Sequence, residues 1–419
     1  MSIIMENNNA KILMINPYVY LPGEHALKRT MYLFELMSSR NIDVTFLTSD
    51  FNHYSKQQRN IESFYKKYPG YVNSIRFIHM KPYRKNISLN RFWAWKKFEK
   101  DALRWFKAMG KDYDAVYLTL PSPIIAKKIR SLCDAFKSKL IIDVNDLWPD
   151  SLRLFFKNDI VYNLLTYPIQ KQVRVGYANA DGIVAVSDEY RELAEKYNNR
   201  YCFSKTVYIG AMIDQFDHGV KKYAEKINKV ADEYWITYVG TIGTSYDFVT
   251  VIDAVNALHN QGYTNIRFRI FGQGPEEQEL KEYIREKGLK GTEFLGFVDY
   301  DFMAANLVKG DISINCIKAR ASQSIINKAA DYFAAGKPIL NCGPSMEMQK
   351  LVSDNNAGIN YIAEDIHSLE KAILHLYNNP KESIEMGANA RTTCMKLFDR
   401  KKTHQELIDI LLQQTKQAS

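Results

Sequence analysis

Short apolar runs alternate with longer amphipathic stretches from one end of this chain to the other, and that rhythm limits the fold more than any single motif. In the first half the runs are KILMIN (11–16), DVTFLT (43–48), IRFIHM (75–80), DAVYLTL (114–120), KLIIDV (139–144) and GIVAVS (182–187). Between them lie helical patterns such as PIIAKKIRSLCDAF and DEYRELAEKY. The second half repeats the pattern with ITYVG (236–240), IRFRIFG (266–272), TEFLGF (292–297), DISINC (311–316) and KPILNC (337–342). A strand that is apolar throughout is buried on both faces, which calls for a parallel sheet covered by helices on either side. The rhythm runs twice, so the fold class is α/β with two doubly wound, Rossmann-like domains. A chain of 419 residues also exceeds what one ordinary core organises. The expected divisions are 1–205, 206–397 and a final helix at 398–419, with SKTVYIGAMIDQFD (204–217) as the joint and GVKKYAEKINKVADEY as a loop opening the second domain.

Composition narrows the setting. No apolar run reaches the roughly 18 residues a spanning helix requires, and no cleavable leader is visible, so a cytoplasmic protein is expected. The five cysteines are scattered without a C-x-x-C pair, which suggests neither a disulfide framework nor a zinc site. A net charge of +9 points to an anionic partner such as a phosphorylated substrate or a membrane surface.

The richest segment is SIINKAADYFAAGKPILN (324–341). It reads as a helix with Lys328 at its start and Asp331 one turn on, closing through Gly336-Lys337-Pro338 into a strand. Residues three apart share a helix face, and a helix N-terminus offers free amides and partial positive charge to a phosphate. The same residues also fit an amphipathic helix capped by Gly336, with Lys328 merely solvated. The segment resembles the signature of family-4-type glycosyltransferases, in which a lysine precedes E-Y-[LFM]-A-x-G-[KL]-P. LIIDVNDLWPDSLRLFF (140–156) is similar to the DLWP[DE]S segment of bacterial capsule, O-antigen and exopolysaccharide transferases. The resemblance spans nearly the whole chain, to FDRKK before the last helix.

The resemblance implies two domains of the GT-B type facing each other across a cleft, with the last helix returning to the first domain. It implies an acceptor side in the first domain and a nucleotide-sugar site in the second. Around YVGTIGTSYDFV the donor phosphates would meet Gly240, Gly243 and Thr244. This chain lacks the arginine and lysine of many relatives there, having Thr241, Thr244 and Ser245. Gly272 and Gly274 match the family's G-x-G-P, and Gly296 to Val298 would face the base. Asp331 would hold the ribose. The family's first glutamate falls on Gln323 beside Ser324, next to the donor sugar. In the first domain Asp143, Asn145, Asp146 and Asp150 are the polar residues of the strand end, and Asp146 is expected to project towards substrate. The loop PYVYLPGEH carries Gly23, Glu24 and His25, and F-x-H-x-x-K-x-x-R places His53, Lys56 and Arg59; Gly23, Glu24, His25, His53 and Arg59 are the expected acceptor contacts.

RFWAWKKFEKDALRWFKAM (91–109) has two faces at about 100° per residue. Phe92, Trp95, Phe98, Ala102, Leu103, Phe106 and Met109 form an apolar stripe. Lys96, Lys97, Lys100, Arg104 and Lys107 oppose it around Trp93, an arrangement that suits an anionic membrane surface. The D-x-D pairs Asp112/Asp114 and Asp299/Asp301 sit at turns and helix starts, where Asp serves as a cap, so no metal is expected. The resemblance therefore implies a retaining, metal-independent glycosyltransferase. A nucleotide-sugar, most simply a UDP-sugar, would be its substrate, no cofactor would be needed, and a lipid-linked oligosaccharide would accept. Nucleic acid is not among the expected partners. A nucleotide-sugar epimerase of similar fold and a catalytically silent nucleotide-binding subunit both remain compatible with the residues.

Overall fold

The computed structural model describes residues 10–24, 29–86, 88–120, 123–147, 149, 156, 158–200, 203–321 and 325–416. Two compact units emerge. The first comprises the described residues up to Val207 together with those from His404 onward, and the second runs from Tyr208 to Thr403.

In the first unit the chain order is β1 (Lys11–Ile15), α1 (Arg29–Ser39), β2 (Asp43–Ser49), a small hairpin of β3 (Phe51–Asn52) and β4 (Gln57–Gln58), α2 (Ile61–Lys67), β5 (Ile75–Ile78) and α3 (Leu89–Met109). There follow β6 (Ala115–Leu120), α4 (Pro123–Phe136), β7 (Lys139–Val144), α5 (Asp159–Ala178), β8 (Gly182–Ala185), α6 (Asp188–Tyr197) and β9 (Phe203–Thr206). The sheet order is β5-β2-β1-β6-β7-β8-β9, with every neighbour parallel. The order reverses between β1 and β6, the place where open parallel sheets bind ligands beyond their carboxyl ends.

The second unit contains α7 (Ile213–Tyr223), β10 (Tyr234–Val239), α8 (Phe248–Asn260), β11 (Ile266–Phe271), α9 (Glu277–Lys287), β12 (Thr292–Gly296), α10 (Tyr300–Lys309) and β13 (Ile312–Cys316). It continues with α11 (Ala329–Ala334), β14 (Ile339–Cys342), α12 (Met346–Ser353), β15 (Gly358–Asn360), α13 (Ile366–Asn378) and α14 (Pro380–Thr393). Its parallel sheet runs β12-β11-β10-β13-β14-β15, again with one reversal, between β10 and β13. The last helix, α15, spans Arg400–Lys416. Its Leu407, Ile408, Leu411 and Leu412 are buried in the core of the first unit.

Caps set the helix starts as the sequence chemistry dictates. Ser88, Ser187, Asp247, Asp299, Ser345 and Asp365 each accept a backbone N–H from the first turn of the helix they precede, satisfying donors that the helix leaves open. Residues 219–223, expected in a loop, lie instead in α7, where Ile213 and Phe216 are buried. Met109, assigned to the apolar stripe of α3, is exposed, because it is the last helical residue, beyond the packed turns. β9 and β15 did not announce themselves, since both are short edge strands with no fully buried residue.

One ion pair sits at the centre of the first unit. Arg29, at the start of α1, places Nη2 at 3.0 Å from Asp143 Oδ1 and Nε at 3.3 Å from Oδ2, and both side chains are at least nine-tenths buried. Its Nη1 donates to the carbonyl of Val207, the last residue of the unit before the chain leaves it. Removing one member of a buried pair leaves an uncompensated charge, whereas an apolar pair can replace both. Asp143→Ala should therefore cost about 3–5 kcal/mol in a urea titration of the first unit's transition, and Arg29→Met/Asp143→Leu clearly less. A single variant within about 1 kcal/mol of the parent would show that the pair does not hold the unit.

Candidate functional site

Three loops meet at the carboxyl edge of the second sheet. The amide of Gly240 donates to Phe271 O and that of Gly272 to Gly296 O, while Ile242 N donates to Gln273 O and Glu276 N to Ile242 O. The loop after β13 joins them through the Tyr246–Ile317 bridge and a 3.0 Å bond from Lys318 N to Ser245 O. Gly272 and Gly274 are required by this interlock. A Cβ on Gly272 would lie 1.8 Å from Gly240 O, and one on Gly274 would lie 2.0 Å from Ile242 O. Their absence of side chains serves the neighbouring loop first, and only through it any ligand.

Gly243 is different, since a Cβ there would meet only Thr241 Cγ2, at 3.7 Å. Gly243 is half-buried and Thr244 exposed. Among the described residues, none receives the N–H of Gly243, Thr244 or Ser245, so three successive amides are open to an anion. The sequence reading passed over Lys318. It lies on the adjoining loop, with Nζ 4.0 Å from Glu276 Oε1, close to where the expected loop cations are missing. Its signal was weak, because a single lysine six residues before the 324–341 segment belongs to no motif. Gly296 has φ of +72° and open space where a Cβ would be, and Val298 is half-buried beside the exposed Phe297.

Lys328 directly precedes α11, which has only six residues. Its ammonium is 3.1 Å from Asp331 Oδ2 and 3.6 Å from Met303 Sδ, and 5.5 Å from the centroid of the Tyr300 ring. Tyr300 donates its hydroxyl to Asp331 Oδ1 at 2.7 Å. Burial first, then the Asp331 charge, pushes the Tyr300 hydroxyl far above its ordinary range, so it stays a donor at any working pH. Asp331 is therefore buried with both oxygens engaged, whereas the sequence reading had it turned towards a ribose. The Lys328 side chain is one-third exposed, and an ammonium has three N–H groups, so it retains donor capacity after pairing with Asp331. Tyr332, fully buried, holds this helix in place. Its hydroxyl donates to Val239 O and accepts from Val239 N, each at 3.0 Å. Val239 ends β10 and Gly240 follows, so one side chain fixes the Lys328 segment to the strand that opens the glycine loop. Gln323 and Ser324 lie outside the described residues.

In the first unit Gly23, Glu24, His53 and Arg59 come together in the loops after β1 and β2, and His25 lies outside the described residues. Arg59 binds Glu24 through Nε at 2.6 Å and Nη2 at 2.8 Å. It also donates to the carbonyls of Ser49, Phe51 and Val19. A guanidinium has five N–H donors, and all five are used within the chain. Glu24 also accepts from Leu21 N at 2.8 Å. These two residues knit the loops together, and the sequence reading of Arg59 as an acceptor contact gives way to a structural clamp. Gly23 has φ of +82°, a left-handed conformation that glycine adopts without strain. Asp146, after β7, is exposed, whereas Asp143 is taken up by Arg29.

His53 sits among Tyr18, Tyr54 and Tyr83. Its Nδ1 lies 2.5 Å from the Tyr83 hydroxyl and 3.5 Å from Lys56 Nζ. An ammonium can only donate, so Nδ1 is the acceptor and the ring proton belongs on Nε2. Burial, then the charges of Arg91 and Lys56, push the imidazole down to about 3.

Among the described residues no three of His, Cys, Asp and Glu gather as metal ligands. In the D-x-D pairs, Asp114 accepts from Lys11 N, Asp299 caps α10 and Asp301 pairs with Lys222. Cys133, Cys316, Cys342 and Cys394 are free and buried.

Residues 233–379 match the family model described as "Glycosyl transferases group 1". No curated protein matches the chain. Among solved structures it is similar to sucrose-phosphate synthase from Thermosynechococcus elongatus, with a TM-score of 0.71 and 14% identity over 97% of this chain and 99% of that one. It is also similar to HepE of Anabaena in complex with UDP, with a TM-score of 0.67 and 14% identity over 96% and 99%. The glycosyltransferase WaaG, involved in lipopolysaccharide biosynthesis, gives 0.66 and 11% over 95% and 99%. Likeness at these identities shows the fold, the GT-B type with its two Rossmann-like domains.

The His53 environment has a measurable consequence. In the unfolded chain the ring takes up a proton near its ordinary value of about 6.5, but in the folded chain only near 3. Between those values the unfolded state binds more protons, so this residue lowers stability as pH falls through the window. His53→Gln should lose stability less steeply than the parent between about pH 6.5 and about pH 4 in urea titrations. Equal slopes, or a His53 ring that titrates near its ordinary value by NMR, would contradict this environment.

Proposed function

We propose that this chain is a glycosyltransferase that moves a sugar from a UDP-sugar to a hydroxyl of a lipid-linked oligosaccharide in surface-polysaccharide synthesis, with retention at the anomeric carbon. The observation that carries the donor half is the Tyr332–Val239 tie. It fixes the Lys328 segment to the strand end from which the open amides of Gly243, Thr244 and Ser245 follow. The matched segment, 233–379, contains all of these residues, and the similar HepE structure is described as a complex with UDP. The resemblance of the DLWPDS segment to polysaccharide transferases supports the acceptor class.

On this reading the bond from the sugar C1 to the β-phosphate oxygen breaks and the electron pair leaves with UDP. A bond from the acceptor oxygen to C1 forms on the same face, and the acceptor's proton passes to the departing phosphate. Lys328 and the three amides stabilise the charge that gathers on that phosphate, the kind of preorganised donor set that dominates such catalysis. Asp331 and Tyr300 act as positioning residues, keeping the ammonium at one end of its reach. Lys318 supplies the loop charge that Thr241, Thr244 and Ser245 do not. Gln323, uncharged, would meet the donor sugar through hydrogen bonds alone. Asp146 remains the proposed substrate contact of the first unit, and His53, as a neutral ring, the proposed acceptor contact.

The absence of Arg and Lys from the glycine loop favours one rival, a subunit that binds UDP without turnover. Incubation of a UDP-sugar panel with lipid-linked acceptors separates the two, because the rival protects the protein thermally with UDP yet forms no product. Lys328→Ala should lower turnover roughly 100-fold, the scale for losing a preorganised charge-stabilising donor, and Lys318→Ala should weaken UDP in calorimetry while leaving the fold unchanged. A near-normal rate for Lys328→Ala would remove this residue from the mechanism. Activity should also survive dialysis against excess chelator, and restoration by Mg²⁺ or Mn²⁺ after a loss would contradict the metal-independent reading.

A further inference from the structure

The first ten residues of α5 expose an apolar surface that the donor chemistry does not use. Ile160, Leu164 and Leu165 are 77%, 76% and 62% exposed, and Val161 and Tyr167 are exposed beside them. At 3.6 residues per turn these side chains and Pro168 fall within an arc of about 160°. Tyr162, Thr166 and Val173, which are buried, define the opposite side. The arc therefore points outward over nearly three turns. One turn further along the same helix the outward positions become Lys171 and Arg174.

The neighbouring helices carry the complementary property. α5 and α3 both pack against α4, so the three form one layer on the first unit. On α3 the side chains of Lys96, Lys97, Lys100, Arg104 and Lys107 are exposed together with Trp93 and Leu89. Among the described residues Asp101 is the acid paired with them, through Lys97 at 2.6 Å and Arg104 at 3.0 Å. Lys128 of α4 is exposed between the two helices. On the far side of α5 the layer ends at α6, whose Asp188, Glu192 and Glu195 are each paired with Arg191. Both α3 and α5 return the chain to the start of a parallel strand, so their N-terminal halves lie at the carboxyl rim of the sheet. Leu89, Trp93, Ile160, Leu164 and Leu165 all belong to those halves.

We propose that this α3–α4–α5 layer docks on an anionic lipid bilayer, with the α5 aliphatics entering the acyl region and the α3 cations meeting acidic headgroups. A bilayer satisfies both surfaces at once, since buried apolar area and electrostatic attraction add in interfacial binding. No described helix is long and apolar enough to cross a membrane, so the engagement is at the interface. Docking in this way presents the carboxyl rim of the first sheet, with its loops, to the membrane surface. The inference does not depend on the donor reading, because binding to lipid requires no nucleotide.

The test is co-sedimentation of the full chain with vesicles of phosphatidylcholine alone and of phosphatidylcholine containing phosphatidylglycerol, at low and high salt. The parent should bind the anionic vesicles, and more weakly as salt rises. Ile160→Ser/Leu164→Ser/Leu165→Ser should lose at least roughly tenfold in partitioning, and the variant with all five α3 cations changed to Gln should lose a similar factor on anionic vesicles only. UDP affinity and far-UV circular dichroism should be unchanged in both, which separates lost docking from lost folding. Failure of the parent to bind anionic vesicles, or equal binding by the serine variant, would overturn the proposal. A concentration-dependent dimer broken by the same serines, without vesicle binding, would assign the stripe to a second copy of the chain and overturn it as well.

Discussion

A single buried hydroxyl, that of Tyr332, sets the geometry on which the candidate donor site depends. By bonding both the N–H and the C=O of Val239, it does for α11 what a ladder partner does for a strand. α11 is short, with six residues, and too short a helix to hold its place by its own turns. It is held because its tyrosine completes the backbone pairing of β10 at the residue where the sheet ends. Lys328 inherits that fixed frame, and Asp331 and Tyr300 limit the remaining freedom of its side chain. A charge aimed in advance stabilises a developing anion without reorganisation at the moment of reaction.

The first unit uses the same principle with charges. The Arg29–Asp143 pair joins α1, β7 and the carbonyl of Val207 in one buried contact, and Arg59 joins three loop carbonyls to Glu24. Each arginine is bound by groups from several segments of the chain, Asp143 and Val207 for Arg29, and Glu24, Val19, Ser49 and Phe51 for Arg59. Buried guanidinium groups are tolerated where their fork matches several acceptors at once. Arg59 thereby ties the segment after β1 to the segment after β2, and these also carry Tyr18 and His53 of the aromatic cluster.

Much of this architecture was legible from residue order. The strand runs were nearly all apolar, and such runs can sit only in parallel sheets covered on both sides, so 11 of the sheet strands stood out. β9 and β15 did not, because FSKT and GIN are too short and too poor in apolar residues to make a run. The site was legible only in part. Lys328 and the glycines could be located from their spacing, but spacing reports which residues are near and not which partner each one takes. Asp331 looked free until Tyr300, from another element, met its second oxygen. Arg59 looked like a ligand contact because the carbonyls that consume its donors carry no side-chain signature at all. Lys318 was passed over because its neighbour, Ser245, is brought to it only by the folding of two distant loops.

The interlock of Gly272 and Gly274 with Gly240 and Ile242 bears on how such a site can change over time. With backbone oxygens 1.8 and 2.0 Å from where a Cβ would stand, neither loop can be altered in length or path while the other stays as it is. The two behave as a single inherited part despite being separated by a helix and a strand. Exchange of one loop between related chains would carry over little of the donor's preference, and exchange of both together would carry over most. New specificities in this unit are therefore more readily reached through a position such as Gly243, where a Cβ would meet only Thr241 Cγ2 at 3.7 Å, than through Gly272 and Gly274.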